Sequence, residues 1–321
     1  MLSAQTSELI RDEIVEIVSL ADLGTGLRTS VLDALGGKTR VLPEGKPNLC
    51  SALILRSHVC AGGKDVSEVV PVVAAMEMLL AAYDVVDDLE DDELPLPDNR
   101  RDLGQILETV CSLLMLCHTS IGRLSSADMP PARVLRLYQV IDKLGADALG
   151  GQSLDMAFEL LTDVSVESAL NASSLKSASL VRCAAELGAA AGTGDEDTIR
   201  LHAHFGWHFG LVLQLMNDIS AVWPGGSKKS DLRLKKKTLP MAFALNLTEM
   251  GKDHQHSRIV KRYFDGDTAV SEDDVKFALW RCGAIHYTWI VAGTAKARAG
   301  AIVRMLDQSR CNTTELVELL N

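Results

Sequence analysis

Residues 69–83 read V-V-P-V-V-A-A-M-E-M-L-L-A-A-Y, and this run limits the fold more than any other part of the chain. It is too long and too continuously apolar for a half-exposed strand, and a helix greasy nearly all round has to be enclosed by other helices. Helical periodicity dominates the remaining sequence too, and the period-two alternation of strands is nearly absent. Candidate helices cover about 7–35, 47–61, 66–92, 101–124, 131–147, 149–162, 166–193, 195–221, 239–249, 272–306 and 313–320. Glycine- and proline-bearing breaks separate them, at G-G-K (36–38), P-E-G-K-P (43–47), A-G-G-K-D (61–65), M-P-P (129–131), G-T-G-D (192–195) and W-P-G-G-S (223–227). None of these is long or polar enough to join two domains, and no repeat of fixed period is present. Residues 1–321 therefore read as one all-α domain, a single large helical bundle.

Composition agrees with that reading. The chain is 47% hydrophobic but only 4% aromatic, so its core must be aliphatic, and the abundance of Ala, Leu and Glu suits helices. A net charge of −11 argues against a nucleic-acid partner, which needs a surplus of Lys and Arg. A small anionic substrate is still permitted, because it feels the local field. Seven scattered cysteines, with no C-x-x-C pair, point to reduced, buried thiols in a cytoplasmic protein. The amphipathic N-terminus lacks the basic start of a signal peptide. No uninterrupted apolar run reaches the roughly 18 residues of a bilayer span, so no membrane span is expected.

The greasy run ends in D-V-V-D-D-L-E-D-D-E from Asp84 onward. Asp84, Asp87, Asp88 and Asp91 fall at i, i+3, i+4 and i+7, so one helix face carries all four. Like charges at that spacing destabilise a helix unless a cation bridges them. Because the helix is otherwise core, these carboxylates should rim a cavity, and Mg2+, which shares carboxylates with substrate phosphates, suits such a rim. A second segment, from Gln214 to Pro240, ends another apolar helix with Asn217 and Asp218. A glycine-rich turn follows, then Asp231 and lysines 228, 229, 235, 236 and 237. Oxygen ligands followed by ammonium groups are what a magnesium diphosphate requires.

Together these segments resemble the trans-isoprenyl diphosphate synthases, the polyprenyl synthetase family. Asp87-Asp88-Leu89-Glu90-Asp91 matches the first aspartate-rich motif, D-D-x-x-D, and Arg100-Arg101 follows where the family has R-R-G. Gly151-Gln152-Ser153-Leu154-Asp155 matches G-Q-x-x-D, and Lys176-Ser177-Ala178 matches K-T-A. Gln214 to Asp218 stands for Q-x-x-D-D, and Asp231 to Pro240 fits D-x-x-x-x-K-x-T-L-P. Order and approximate spacing agree from about residue 40 to 245.

The resemblance implies an isoprenoid-synthase bundle with a central active-site cavity, usually a homodimer. In it Mg2+ ions, three in that family, grip an allylic prenyl diphosphate between two acidic helices. Carried over by position, Asp87, Asp88, Asp91 and Lys176 would be catalytic. Asp84, Asp87, Asp91, Asn217, Asp218 and Asp231 would serve the metals. Lys46, Arg100, Arg101, Lys176, Gln214, Lys228 and Lys236 would bind diphosphate. The pocket would be lined by Leu80, Tyr83, Gln152, Trp207 and Leu211. Trp207 precedes Asp218 by eleven residues and Tyr83 precedes Asp87 by four, so each returns to the face of its aspartate. In the family that these segments resemble, a bulky aromatic four or five residues before the first aspartate stops the product short, so the resemblance implies that Tyr83 limits the chain to C10–C20.

Departures from the pattern shape the functional expectation. The G-K-R-x-R-P loop that grips isopentenyl diphosphate is here Gly45-Lys46-Pro47-Asn48-Leu49-Cys50, with Leu49 at the arginine position. Leu80 replaces the histidine of E-x-x-H after Glu77. The first acidic motif, with its added Asp84, is similar to that of prenyltransferases acting on a pheromone peptide. The leading expectation is an enzyme that ionises a C10–C20 prenyl diphosphate and then cyclises the cation or passes it to an unusual acceptor. The alternative is a chain-elongating synthase condensing isopentenyl diphosphate, and a lesser one a non-catalytic partner subunit. His204 and His208 lie one turn apart, but no third zinc ligand is evident.

Overall fold

The run at 69–83 folds as a buried helix. In the computed structural model, which describes residues 4–36, 42, 48–90, 100–126, 129–161, 163–223, 232–249, 255–309 and 311–320, it forms most of α4 (Val70–Glu90). Pro71 takes the second position of α4, where its missing N–H breaks no helical hydrogen bond. A 3-10 turn, Val66–Val69, leads in, capped by the Asp65 side chain accepting from the Ser67 N–H. Met76, Met78, Ala81 and Ala82 are wholly or nearly wholly enclosed. Burial of such apolar area contributes about 25 cal/mol per Å2.

Thirteen further α-helices are seen among the described residues: α1 (Ala4–Leu20), α2 (Thr25–Leu35), α3 (Leu49–Cys60), α5 (Arg100–Arg123), α6 (Pro131–Glu159), α7 (Val166–Ser173), α8 (Ser179–Gly192), α9 (Glu196–Val222), α10 (Leu239–Glu249), α11 (Gln255–Phe264), α12 (Glu272–Arg281), α13 (Ala284–Gln308) and α14 (Thr314–Leu320). No strand occurs among these residues, so the fold is all-α.

Contacts divide the chain into two compact units. The first comprises Met1–Ile141, Ala184–His202 and Leu306–Glu318. In it α4 packs on α1, α2 and α3 and most extensively on α5. The Ser120 hydroxyl donates to the Pro71 carbonyl at 2.7 Å, and Arg123 pairs with Glu13 and Glu16 of α1 at 2.9 and 2.8 Å. The second unit comprises Asp142–Cys183, Ala203–Met305 and Leu319–Asn321. One of its clusters joins Val222, Leu232, Met241, Val260, Val275 and Leu279, and another joins Ala178, Leu211, Leu215, Leu239, Ala292 and Ala295.

Several expected boundaries are corrected. The helix expected at 7–35 is two, interrupted at 21–24, where the Arg28 guanidinium donates to the Ala21 carbonyl at 3.2 Å. The break expected near 148 is absent, since α6 runs through Gly150 and Gly151. The segment 166–193 is divided by a π-helical turn, Ser174–Ala178. The segment 272–306 is divided at Gly283, whose φ of +85° is a left-handed conformation that favours glycine. α11 was missed, because Q-H-S-R-I-V-K-R-Y-F is mostly polar and only Ser257 and Val260 are buried. All seven cysteines are free thiols, yet only four are buried, and Cys111 is exposed. Val66–Glu90 and Arg100–Ser126 have the length and mean hydropathy of bilayer spans, with 67% and 33% of their apolar windows buried.

Candidate active site

In the first unit the carboxylates occupy the last two turns of α4. Asp84 is exposed and Asp87 and Asp88 are half-buried, directly after the enclosed Leu79, Ala81 and Ala82. Three electrostatic effects combine there. The carboxylates repel one another, they stand at the negative end of the helix dipole, and no basic residue occupies the last turn. Such an end favours a bound cation. Tyr83 and Leu80, one and two turns behind, are half-buried. Asp91 and Lys46 lie outside the described residues.

Glu77, expected to begin the E-x-x-H step, is 1% exposed, and its carboxylate accepts from the Ser51 hydroxyl at 2.6 Å. Asn48 caps α3 by accepting from the Ser51 N–H at 3.0 Å. These bonds fix the start of α3 and leave Leu49 39% exposed. Two of the positions where the family pattern has basic residues are thus an exposed and a half-buried leucine. Arg100 and Arg101 open α5 and line a recess of about 630 Å3 with Gly26, Leu27, Gly104, Gln105 and Glu108.

In the second unit two motifs separated in sequence meet. The Lys176 ammonium lies 3.3 Å from the Asp155 carboxylate, each side chain about a quarter exposed. Their approach depends on a missing side chain, since a Cβ on Gly151 would fall 2.3 Å from the Lys176 backbone nitrogen. Gly210 of α9 plays the same part on the other side, where a Cβ would fall 2.8 Å from the Ala178 Cα. The K-S-A turn is therefore held between α6 and α9. It is π-helical, a local widening frequent at functional sites. Gln152 is half-buried on α6.

On α9 the Gln214 amide donates to the Asp218 carboxylate at 2.6 Å, and Asp218 is 1% exposed. Asn217 is exposed, as neighbouring residues on a helix point about 100° apart. Leu211 is buried, and Trp207 is partly buried against the same cluster as Tyr287 and Val291. Lys228 and Asp231 lie outside the described residues. Two other lysines of the group, Lys235 and Lys237, are engaged elsewhere. Lys237 is 6% exposed, and its ammonium donates to the Phe158 and Glu159 carbonyls at 2.8 and 3.3 Å, capping α6. Burial pushes its pKa down. Lys235, with φ of 52°, donates to the Phe264 carbonyl at 3.1 Å. Lys236, half-buried between them, remains in the candidate set.

Sequence reasoning missed two of these roles. Asp155 was read as a motif letter rather than as the partner of Lys176. A buried Lys237 had no signal, because a lysine contacting carbonyls looks like any other in sequence. The histidines are separate: His202 is fully buried with Nδ1 2.9 Å from the Thr198 carbonyl, while His204 is exposed.

The donors fit magnesium by chemistry. They are hard oxygens, and the buried Asp218 carboxylate stands where an unneutralised charge is costly. Among the described residues no three His, Cys, Asp or Glu groups converge as a metal cage. Mg2+ does not need one, since it binds through one or two carboxylates, waters and substrate phosphate.

The helical fold is that of isoprenoid synthases. The geranylgeranyl pyrophosphate synthetase of Pyrococcus horikoshii superposes with a TM-score of 0.77 at 21% identity, covering 94% of this chain and 90% of that one. Another geranylgeranyl pyrophosphate synthase gives a TM-score of 0.79, also at 21% identity, over 100% and 99% of the two chains. Residues 38–278 match the polyprenyl synthetase family, and the chain belongs to that family. The geranylgeranyl diphosphate synthase of Mycobacterium tuberculosis is 28% identical over 61% of this chain and 57% of its own length. The (2E,6E)-farnesyl diphosphate synthase of the same species is 32% identical over 33% and 31%. The chain thus spans 31% and 57% of the length of these two relatives.

Proposed function

We propose that the chain is a chain-elongating trans-isoprenyl diphosphate synthase, which adds isopentenyl diphosphate to an allylic diphosphate and makes a product of C20 or less. This replaces the terpene synthase or unusual prenyltransferase favoured by the sequence alone. The observation that carries it is the family membership, joined to relatives named as farnesyl and geranylgeranyl diphosphate synthases. In this reading the allylic C–O bond breaks with its electron pair leaving on diphosphate. The double bond of isopentenyl diphosphate attacks the allylic carbon, and a proton is lost to restore a double bond. Magnesium, when bound, supplies positive charge against the diphosphate as it departs.

The chain's own residues do the rest. Asp84, Asp87, Asp88 and Asp91, together with Asn217, Asp218 and Asp231, recruit the metals. Lys176, oriented by Asp155, donates to diphosphate oxygens, with Arg100, Lys228 and Lys236. Fixed donors stabilise the growing charge without reorganising. Leu80, Tyr83, Trp207 and Leu211 keep water from the cation. Lys46 and Arg101 are the cations left for isopentenyl diphosphate, Gln214 serves the diphosphate, and Gln152 lines the pocket. We further propose that residues 1–321 act as one catalytic domain and that the assembly is a homodimer. Sedimentation at a monomer mass under assay conditions would refute the latter.

A second reading retains one specific support. Leu49 and Leu80 supply no charge where the family pattern has basic ligands, which favours an enzyme that uses the cation without isopentenyl diphosphate. The test is to incubate C10, C15 and C20 allylic diphosphates with labelled isopentenyl diphosphate and Mg2+. Label in a longer diphosphate supports the synthase. An unlabelled hydrocarbon or alcohol supports the second reading.

A further inference from the structure

The exposed side of α12 and α13, within the second unit, carries an unusual surface for so aliphatic a chain. Phe277 and Trp280 on α12 are 59% and 52% exposed, and Trp289 and Ile290 on α13 are 60% and 68% exposed. They are continuous: the Trp280 and His286 rings lie 4.6 Å apart, and His286 precedes Trp289 and Ile290 by about one turn. The Arg281 guanidinium lies over the Phe277 ring at 6.0 Å. Two of the four tryptophans in the sequence are therefore in this patch.

The charge around it is equally uneven. Glu272, Asp273 and Asp274 open α12 one turn before Phe277, but from there to Asp307 there is no carboxylate and there are five basic residues, in a chain of net charge −11. Lys276 is paired with Asp273 at 3.0 Å. Arg281, Lys296, Arg298 and Arg304 are exposed, and none is ion-paired among the described residues. Arg304 follows His286 by five full turns and so shares its face.

We propose that the Phe277–Ile290 face of α12 and α13 is a peripheral docking surface for bilayers containing anionic lipid. Tryptophan rings favour the headgroup level, isoleucine and phenylalanine bury just below it, and cations at the edge meet phosphate. A second copy fits less well, because a self-complementary contact would oppose this positive surface to itself. The inference does not depend on the reaction proposed above.

The test is flotation with phosphatidylcholine vesicles and with vesicles containing one third phosphatidylglycerol. The parent should float with the anionic vesicles and be released by salt. Trp289→Ala with Ile290→Ala should lower partitioning roughly tenfold or more, and Arg281→Gln about fivefold, the contribution of one surface cation. Both variants should keep the parent Tm, since the side chains are exposed. A parent that stays unbound, or a double variant that floats as well as the parent, overturns the proposal. So does concentration-dependent self-association that the double variant abolishes while vesicle binding is absent, which would make the face a contact between copies.

Discussion

Lys176 owes its position to two residues that have no charge to offer a diphosphate, Gly151 and Gly210. A side chain at 151 would need the space of the Lys176 backbone. Gly151→Ala should therefore destabilise the protein by about 1–3 kcal/mol, typical of overpacking, and reduce activity with it. Its Tm in thermal unfolding checks this, and an unchanged Tm would mean that the turn shifts freely. Lys176→Ala should keep the Tm but weaken binding of magnesium pyrophosphate roughly ten- to a hundredfold, the range for a charge-assisted hydrogen bond. Calorimetric titration measures it. At this scale the sequence singled out Lys176 as a candidate but gave no sign of its pairing with Asp155, because an ion pair across 21 residues depends on how the chain turns back.

Buried histidines set a pH dependence. Burial holds His58 and His202 below their ordinary value of 6.5, so the folded state keeps them neutral. As pH falls below 6.5 the unfolded chain takes up protons that the folded one does not. The stability they contribute is present above that value and lost as the pH falls further below it. The Tm should fall across this window, and less so in His202→Asn, whose amide can keep the Thr198 contact. Asp65, Asp195 and Asp274, held below 3.8 by hydrogen bonds, act in a separate and more acidic window.

Among the elements, α4 carries opposed demands: an enclosed apolar body and a terminus of mutually repelling carboxylates. Asp87→Ala should leave the fold intact, because it removes one of several mutually repelling carboxylates. Turnover should be abolished in the same protein. A variant that is both destabilised and active would refute the metal role. Tyr83→Ala should lengthen the product by about one isoprene unit, favoured at about 0.8 kcal/mol per buried methylene. Chain-length analysis of the products checks it, and an unaltered distribution would make Tyr83 an ordinary core residue.

α4 and α9 were legible in sequence because their apolar faces persist over many turns. The division of 272–306 was not, since periodicity continues on both sides of Gly283 and only its backbone conformation marks the turn. α11 escaped for the opposite reason, as a short helix with two buried residues gives almost no periodic signal.

On the scale of the whole molecule, family and fold class could be read from six weak motifs in register. The choice of reaction could not, because it turns on absent charges. Leu49 and Leu80 suggested a different acceptor, whereas the relatives favour elongation. Leu49→Arg combined with Leu80→His should strengthen use of isopentenyl diphosphate, lowering its KM. An unaltered KM would place the binding of that substrate elsewhere, on residues such as Lys46 and Arg101.

The most direct test of the central claim is pyrophosphate release from a C10 or C15 allylic diphosphate with Mg2+, measured with and without isopentenyl diphosphate. An elongating synthase releases one pyrophosphate for each isopentenyl unit incorporated and almost none without it. Comparable release in the absence of isopentenyl diphosphate, with a hydrocarbon or alcohol as product, would contradict it.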